Sequence, residues 1–412
     1  MAIIRPFRAL RPAKEVAHLV ASVPYDVVNR EEAANNAKNN PLNFLRVTRS
    51  EIELPAEVDP YNKIVYEKAR ENLQRLINEA PLIKEAEPAF YIYRLIMGEQ
   101  IQAGIAATFS VEDYDNNVIL KHEKTRKVKE DDRTNHIITT KAQTGAVFLT
   151  YKGVEEINNV VNDTMEKITP LYDFTASDGI QHTIWKIPDD YNDIIQFEIG
   201  KVKNLYIADG HHRAASASRA QKVLKENSAS HTGNENYNFF LAVLFPAEQL
   251  KIMPYNRVVL SLNGMQKDEF IQKVKENFFV ETSNLKEPLE RKTFCMYIDN
   301  QWYKLSPNEN IKEVPDSIGE NLDVSILQNY LLNPILGIQD PRTDTNIDFI
   351  GGIRGTAELE RLVNEGKAKV AFSLYPVDVE DLMKIADAGE VMPPKSTWFE
   401  PKLRDGLLVH TI

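Results

Sequence analysis

The run Tyr206-Ile207-Ala208-Asp209-Gly210-His211-His212-Arg213-Ala214-Ala215-Ser216 leaves the chain few ways to fold around it. An apolar strand ends on an acid, a glycine permits a tight turn, and an alanine-rich helix begins. Backbone N–H groups at a helix start are unpaired and sit at the positive end of the dipole, so such a turn suits a phosphate. Two histidines and an arginine add cationic donors there, and arginine can hold two phosphate oxygens at once. Asp209 is placed to accept a proton, to orient His212 or to hold a divalent cation. The bland alternative is an aspartate cap followed by surface histidines. Caps are common; a Gly-His-His-Arg run beside one is not.

A second run, from Lys121-His122-Glu123-Lys124-Thr125-Arg126 to His136, gathers a histidine, a carboxylate and several cations. Charge runs are usually solvated faces. Here the apolar Val118-Ile119-Leu120 precedes it, which would set Glu123 at a strand end facing a cleft. Arg126, Lys129 and Arg133 align if a helix begins near Thr125. A third run, Met392-Pro393-Pro394-Lys395-Ser396-Thr397-Trp398-Phe399, reads as a proline-stiffened loop presenting Lys395, Ser396 and Thr397 to a phosphate or carboxylate. Its alternative is an ordered tail packing Trp398 and Phe399 on the core. Tyr25 and Asp26, and Asn43 and Arg46, lie beside prolines and are further candidates, or turn chemistry only. The chain has no G-x-x-x-x-G-K-[ST], no G-x-G-x-x-G, no kinase His-Arg-Asp loop and no H-E-x-x-H, so nothing in it supports an ordinary nucleotide-dependent enzyme.

Strand-like and helix-like segments alternate along the 412 residues, which predicts a mixed α/β protein. Helices are expected at 59–79, 129–141 and 214–225, a hairpin turns through 97–100, and buried strands are expected at 145–151, 204–208 and 239–245. After about residue 255 the texture becomes that of a smaller α+β unit, so the expected domains are 1–255, catalytic, and 256–412, with the 392–402 loop able to return to the active site. A formal net charge of -11 argues against a general nucleic-acid binder, which should carry a basic face. The single cysteine, Cys295, excludes an intrachain disulfide and a thiolate metal cage and points to a reducing compartment. With no signal-like start and no apolar run near the ~20 residues of a membrane helix, the expected location is the cytoplasm, without membrane partners.

Four motifs in this order, Ser22-Val23-Pro24-Tyr25-Asp26, Lys121-His122-Glu123-Lys124-Thr125, Asp209-Gly210-His211-His212-Arg213 and Met392-Pro393-Pro394-Lys395-Ser396-Thr397, resemble a large bacterial family. That family was long catalogued as a domain of unknown function and is sometimes labelled ParB-like. Over the central part, the Asp-Gly-His-His-Arg turn also resembles that of free-serine kinases in the ParB/sulfiredoxin-like superfamily. The resemblance implies a ParB/sulfiredoxin-like catalytic core and a phosphotransferase interconverting free L-serine and O-phospho-L-serine. Because members of the large family are similar to pyrophosphate-using serine kinases, pyrophosphate and phosphate are the favoured donor and acceptor. Carried over by position, Asp209 and His212 would be catalytic, with Glu123 as general base. Gly210, His211 and Arg213 would bind phosphate, joined by Lys395, Ser396 and Thr397. Tyr25, Asp26, Asn43, Arg46, Lys121, His122 and Arg126 would bind substrate, and Asp209 would hold Mg²⁺. The alternatives are a phosphoserine phosphatase, a nucleotide-dependent serine kinase and, in another class, a ParB-like nucleotide-switched DNA-binding protein.

Overall fold

Apolar runs broken by Gly, Asn and Pro build the first sheet. Tyr91–Met97 and Gln100–Ser110 pair as an antiparallel hairpin whose turn uses Gly98 at φ 59. Phe239–Pro246, buried along its whole length, adds to the hairpin on one side and to Val147–Tyr151 on the other. The computed structural model describes residues 2–80, 82–315 and 317–412. Within them the chain is mixed α/β and divides into two compact units, 1–250 with 401–412, and 251–400.

The sheet of the first unit runs Ile119–Leu120, Leu205–Asp209, Val147–Tyr151, Phe239–Pro246, Gln100–Ser110, Tyr91–Met97, Gln181–Lys186, Tyr172–Thr175, with Ile4–Arg5 paired on Gln100–Ser110. Two of its pairings are parallel, Leu205–Asp209 with Ile119–Leu120 and Phe239–Pro246 with Val147–Tyr151. Ile157, Val160 and Val161 of the helix Glu155–Lys167, Ile195 and Ile199 of Asn192–Lys201, and Ala214 and Ala217 of His211–Glu226 close a core over these strands. The helix Lys127–Thr140 packs between His211–Glu226 and Lys63–Glu79.

The second unit is built on an antiparallel sheet in the order Phe278–Thr282, Gln301–Pro307, Phe294–Ile298, Val370–Leu374, Tyr255–Val259, Ile347–Gly351. Cys295 is buried in it, as a packed strand cysteine.

The division departs from the expected one in two ways. The boundary falls at Leu250/Lys251 rather than near 255, and 401–412, expected in the second unit, belongs to the first. Backbone pairing explains both. Lys251–Met253 pairs with Trp398–Glu400, so the chain enters and leaves the second unit on neighbouring strands. Beyond them His410–Thr411 pairs with Ala142–Gln143, and Asp405 and Ser22 exchange backbone hydrogen bonds.

Candidate active site

Leu205–Asp209 lies between Ile119–Leu120 and Val147–Tyr151, so its C-terminal end meets the segment leaving Ile119–Leu120. Gly210 follows at φ 94, left-handed backbone that only glycine adopts readily. Space is a second reason for glycine, since a Cβ there would stand 2.9 Å from Arg213 Nε. The helix His211–Glu226 then begins with no side-chain cap, whereas Asn29, Asn62, Ser110 and Asp378 cap other helices of the chain. The first-turn N–H groups of a helix have no partner within the helix and favour an anion.

His211 does not act as the expected cation. The backbone N–H of His122 donates to His211 Nε2 at 3.5 Å, and that of Arg126 to His212 Nε2 at 3.0 Å. Accepting through Nε2 leaves a neutral ring its proton on Nδ1. His211 is buried, and burial holds it well below the usual histidine range, with His122 adding to the effect. The His122 ring stands edge-on to it at 4.4 Å, and burial pushes His122 down to about 4. His211 therefore clasps the 122–126 segment to the turn as a neutral group at pH 7, and His212 holds the same segment through the Arg126 N–H. Half-buried Glu123 lies within the clasped segment.

Positive charge comes from deeper side chains. Arg213 is buried; it donates to Ala146 O and, at 3.1 Å, to Asp209 Oδ2. The two-pronged grip expected for a phosphate is thus directed at the protein, and Arg213 Nε is buried without a hydrogen-bond partner. Lys402 Nζ also reaches Asp209 Oδ2, at 3.3 Å. Burial alone would raise Asp209, but Lys402 and Arg213 hold it far below the ordinary carboxylate range. Asp209 is therefore tied to these two cations.

Behind the turn, Tyr25, Arg133, His136, Thr144, Gly145, Arg213 and Asp405 line a partly open cavity. The Arg133 guanidinium lies 4.3 Å from the Tyr25 ring centroid. Asp405 Oδ1 would stand 2.7 Å from a Cβ at Gly145, and Asp405 Oδ2 is buried without a hydrogen-bond partner. Burial outweighs Arg213 and, helped by Asp26, pushes the Asp405 carboxyl up to about 7. Asp209, His212 and Glu123 are half-buried, and Asp26 and Arg126 are exposed.

Other expected ligands serve the fold. Lys121 Nζ is held by Tyr114 O at 2.6 Å and Asn117 Oδ1 at 3.0 Å, over the Tyr114 ring. Buried Asn43 accepts from Leu45 N at 3.0 Å, closing a short helical turn. Arg46 is spent on Glu53, Asn40 O and Ala37 O. All three are polar groups satisfying local backbone, which motif spacing does not distinguish from ligands. Lys395, Ser396 and Thr397 belong to the second unit, where Ser396 Oγ donates to Pro393 O at 2.6 Å. Sequence reasoning passed over Lys402, Asp405 and Gly145. The run Pro401-Lys402-Leu403-Arg404-Asp405-Gly406, with two cations and an acid before a glycine, was the available signal.

Among the described residues no three His, Cys, Asp or Glu side chains are grouped to hold a metal ion. A magnesium ion brought to the turn with a phosphate would have Asp209 as its carboxylate ligand, the others being water and phosphate oxygens. No helix among the described residues is long and apolar enough to cross a membrane.

Residues 4–325 match the family model described as Protein of unknown function (DUF1015). No curated protein matches the chain. Among solved structures, similar chains include a free serine kinase in complex with AMP, at 11% identity and TM-score 0.38, covering 74% of this chain and 91% of that one. SbnI with a C-terminal truncation, from Staphylococcus aureus, matches at 12% identity and TM-score 0.40, covering 74% and 86%. A conserved hypothetical protein from Pyrococcus furiosus matches at 13% and 0.37, covering 74% and 94%. Likeness at this level carries no argument about chemistry.

Proposed function

From the premise that the chain belongs to the DUF1015 family, we propose that it is a phosphotransferase interconverting free L-serine and O-phospho-L-serine, with pyrophosphate and phosphate as the favoured donor and acceptor. The observation that carries the phosphate part is the uncapped start of the helix His211–Glu226 on left-handed Gly210, with Arg213 and Lys402 gathered on Asp209 beside it. The serine part rests on the resemblance of the Asp209 to Arg213 run to the turn of free-serine kinases.

The phosphoryl group sits against the first-turn N–H groups, whose dipoles offset the charge that builds on its oxygens in the transition state. Glu123 accepts the serine hydroxyl proton, the hydroxyl oxygen bonds to the near phosphorus, and the bond from that phosphorus to the bridging oxygen breaks. Phosphate leaves with the electron pair of that bond; in the reverse direction it attacks phosphoserine and Glu123 returns the proton. Asp209 would hold a magnesium ion, which when bound spreads the charge of the donor oxygens. His211 and His212 keep the 122–126 segment, and Glu123 with it, against the turn. A pyrophosphate donor asks for backbone donors, cations and a metal. A nucleotide donor asks also for an adenine and ribose pocket, for which the sequence has no recognised fingerprint.

Isothermal titration of the full-length protein with magnesium present tests the ligand assignment. Pyrophosphate and phosphoserine should each bind, and ATP and ADP weakly or not at all. Tight binding of ATP with none of pyrophosphate would overturn the donor assignment.

A further inference from the structure

The second unit contains a buried cation with no counter-ion. Arg257, on the strand Tyr255–Val259, is 3% exposed. It forms no ion pair among the described residues. Its side-chain hydrogen bonds go to two backbone carbonyls, Tyr255 O and, at 3.5 Å, Pro394 O. The Phe349 ring centroid lies 5.3 Å from the guanidinium carbon. Burial of this kind pulls Arg257 down to about 10, with Tyr255 offsetting a little of the effect. Buried charges in proteins are paired or ligate ions, because an uncompensated one is costly. The charge persists here at neutral pH, against two carbonyl dipoles and the Phe349 ring.

The surroundings are built rather than accidental. Tyr255 and Arg257, two apart on one strand, share a face of the sheet. Lys395 Nζ lies 5.4 Å from the Tyr255 ring centroid, so a second cation stands on that face. Lys395 follows Pro394, whose carbonyl touches Arg257, and takes φ 58, a left-handed backbone unusual outside glycine. Ser396 Oγ closes the turn on Pro393 O. A contact of 3.5 Å is at the long limit of a hydrogen bond. It is the one an incoming oxygen would replace.

We propose that Arg257, with the 393–396 turn, is a second oxyanion site, which takes a phosphate or carboxylate group where the Pro394 carbonyl now lies. The ligand supplies the missing negative charge and accepts two N–H bonds from the guanidinium fork. This inference is independent of the reading of the Gly210 turn.

The test is amide hydrogen exchange on the full-length protein, with and without pyrophosphate, inorganic phosphate or acetate at constant ionic strength. Peptides covering 255–259 and 391–398 report this site, and peptides covering 205–216 report the Gly210 turn. At ten times the Kd, exchange that requires an empty site slows about tenfold in the first set. Arg257→Met, which removes the charge but keeps an unbranched side chain, should abolish that protection while leaving protection at 205–216 unchanged. It should also unfold at a temperature no lower than the wild type without anion. If that variant does not fold, Arg257→Lys carries the same test, with protection weakened severalfold because the fork is lost. Protection by acetate equal to that by phosphate assigns the site to carboxylates, and protection by phosphate and pyrophosphate alone assigns it to phosphates. Absence of protection at 255–259 and 391–398 in the wild type, or its survival in Arg257→Met, overturns the proposal. Protection there without any at 205–216 leaves it standing and removes support from the turn instead.

Discussion

At the scale of single residues, the strained charges are the informative ones. Asp405 is an acid whose pKa rises from 3.8 in the unfolded chain to about 7 when folded. The folded state therefore favours its protonated form. That contribution to stability is fully present below pH 3.8 and is lost as pH rises through about 7. Asp405→Asn imitates the protonated form at every pH. Denaturation at pH 8 should find the variant more stable than the wild type, by at most about 4 kcal/mol, with the difference vanishing near pH 4. A variant less stable at pH 8 would mean that Arg213 and Arg133 need the charge. Asp209, Arg213 and the histidines were legible in the sequence because strand, glycine and helix signals adjoin. Their protonation was not. A neutral His211 follows from burial and from the backbone donor contributed by His122. Lys402 and Asp405 join the turn through tertiary pairing, which the run Pro401 to Gly406 only hints at.

At the scale of elements, the helix His211–Glu226 is decisive. The alanine-rich pattern predicts it from 214, and the structure starts it at His211, placing the three key side chains in its first turn. Gly210 permits that start by its φ of 94 and by leaving room for Arg213. Gly210→Ala should destabilise the first unit by about 2 kcal/mol, because alanine pays roughly 1–2 kcal/mol for left-handed backbone and its Cβ then crowds the guanidinium. A urea melt measures this, and pyrophosphate binding should fall with it. An unchanged melt would show the turn free to relax, and the argument for a pre-set cradle would fail. The hairpin Tyr91–Met97 with Gln100–Ser110 and the buried strand Phe239–Pro246 are readable because alternation and apolar runs are local. The helices Glu155–Lys167 and Asn192–Lys201 had no counterpart among the expected elements, although Ile157, Val160, Val161 and Thr164 of the first fall at helical spacing.

At the scale of the molecule, the second unit is an insertion. Its entering and leaving strands pair, with Lys251 opposite Glu400, so a few residues can join Leu250 to Pro401. Replacing 251–400 with a short Gly-Ser linker should leave a first unit that unfolds cooperatively, by circular dichroism and calorimetry. A broad or absent transition would mean that the first unit does not fold without the insertion. Composition predicted two units, but only backbone pairing reveals that the tail 401–412 returns to the first. That return brings Lys402 and Asp405 to the candidate site, and the claim resting on it is that the assembled turn moves a phosphoryl group between serine and pyrophosphate. Phosphorus NMR of the full-length protein with magnesium, L-serine and pyrophosphate tests this most directly. The account predicts that the pyrophosphate signal is replaced by phosphoserine and phosphate in equal amounts, and that Glu123→Gln slows the conversion far more than it weakens pyrophosphate binding. Pyrophosphate left intact, while ATP under the same conditions yields phosphoserine, would contradict the donor; no phosphoserine from either would contradict the reaction.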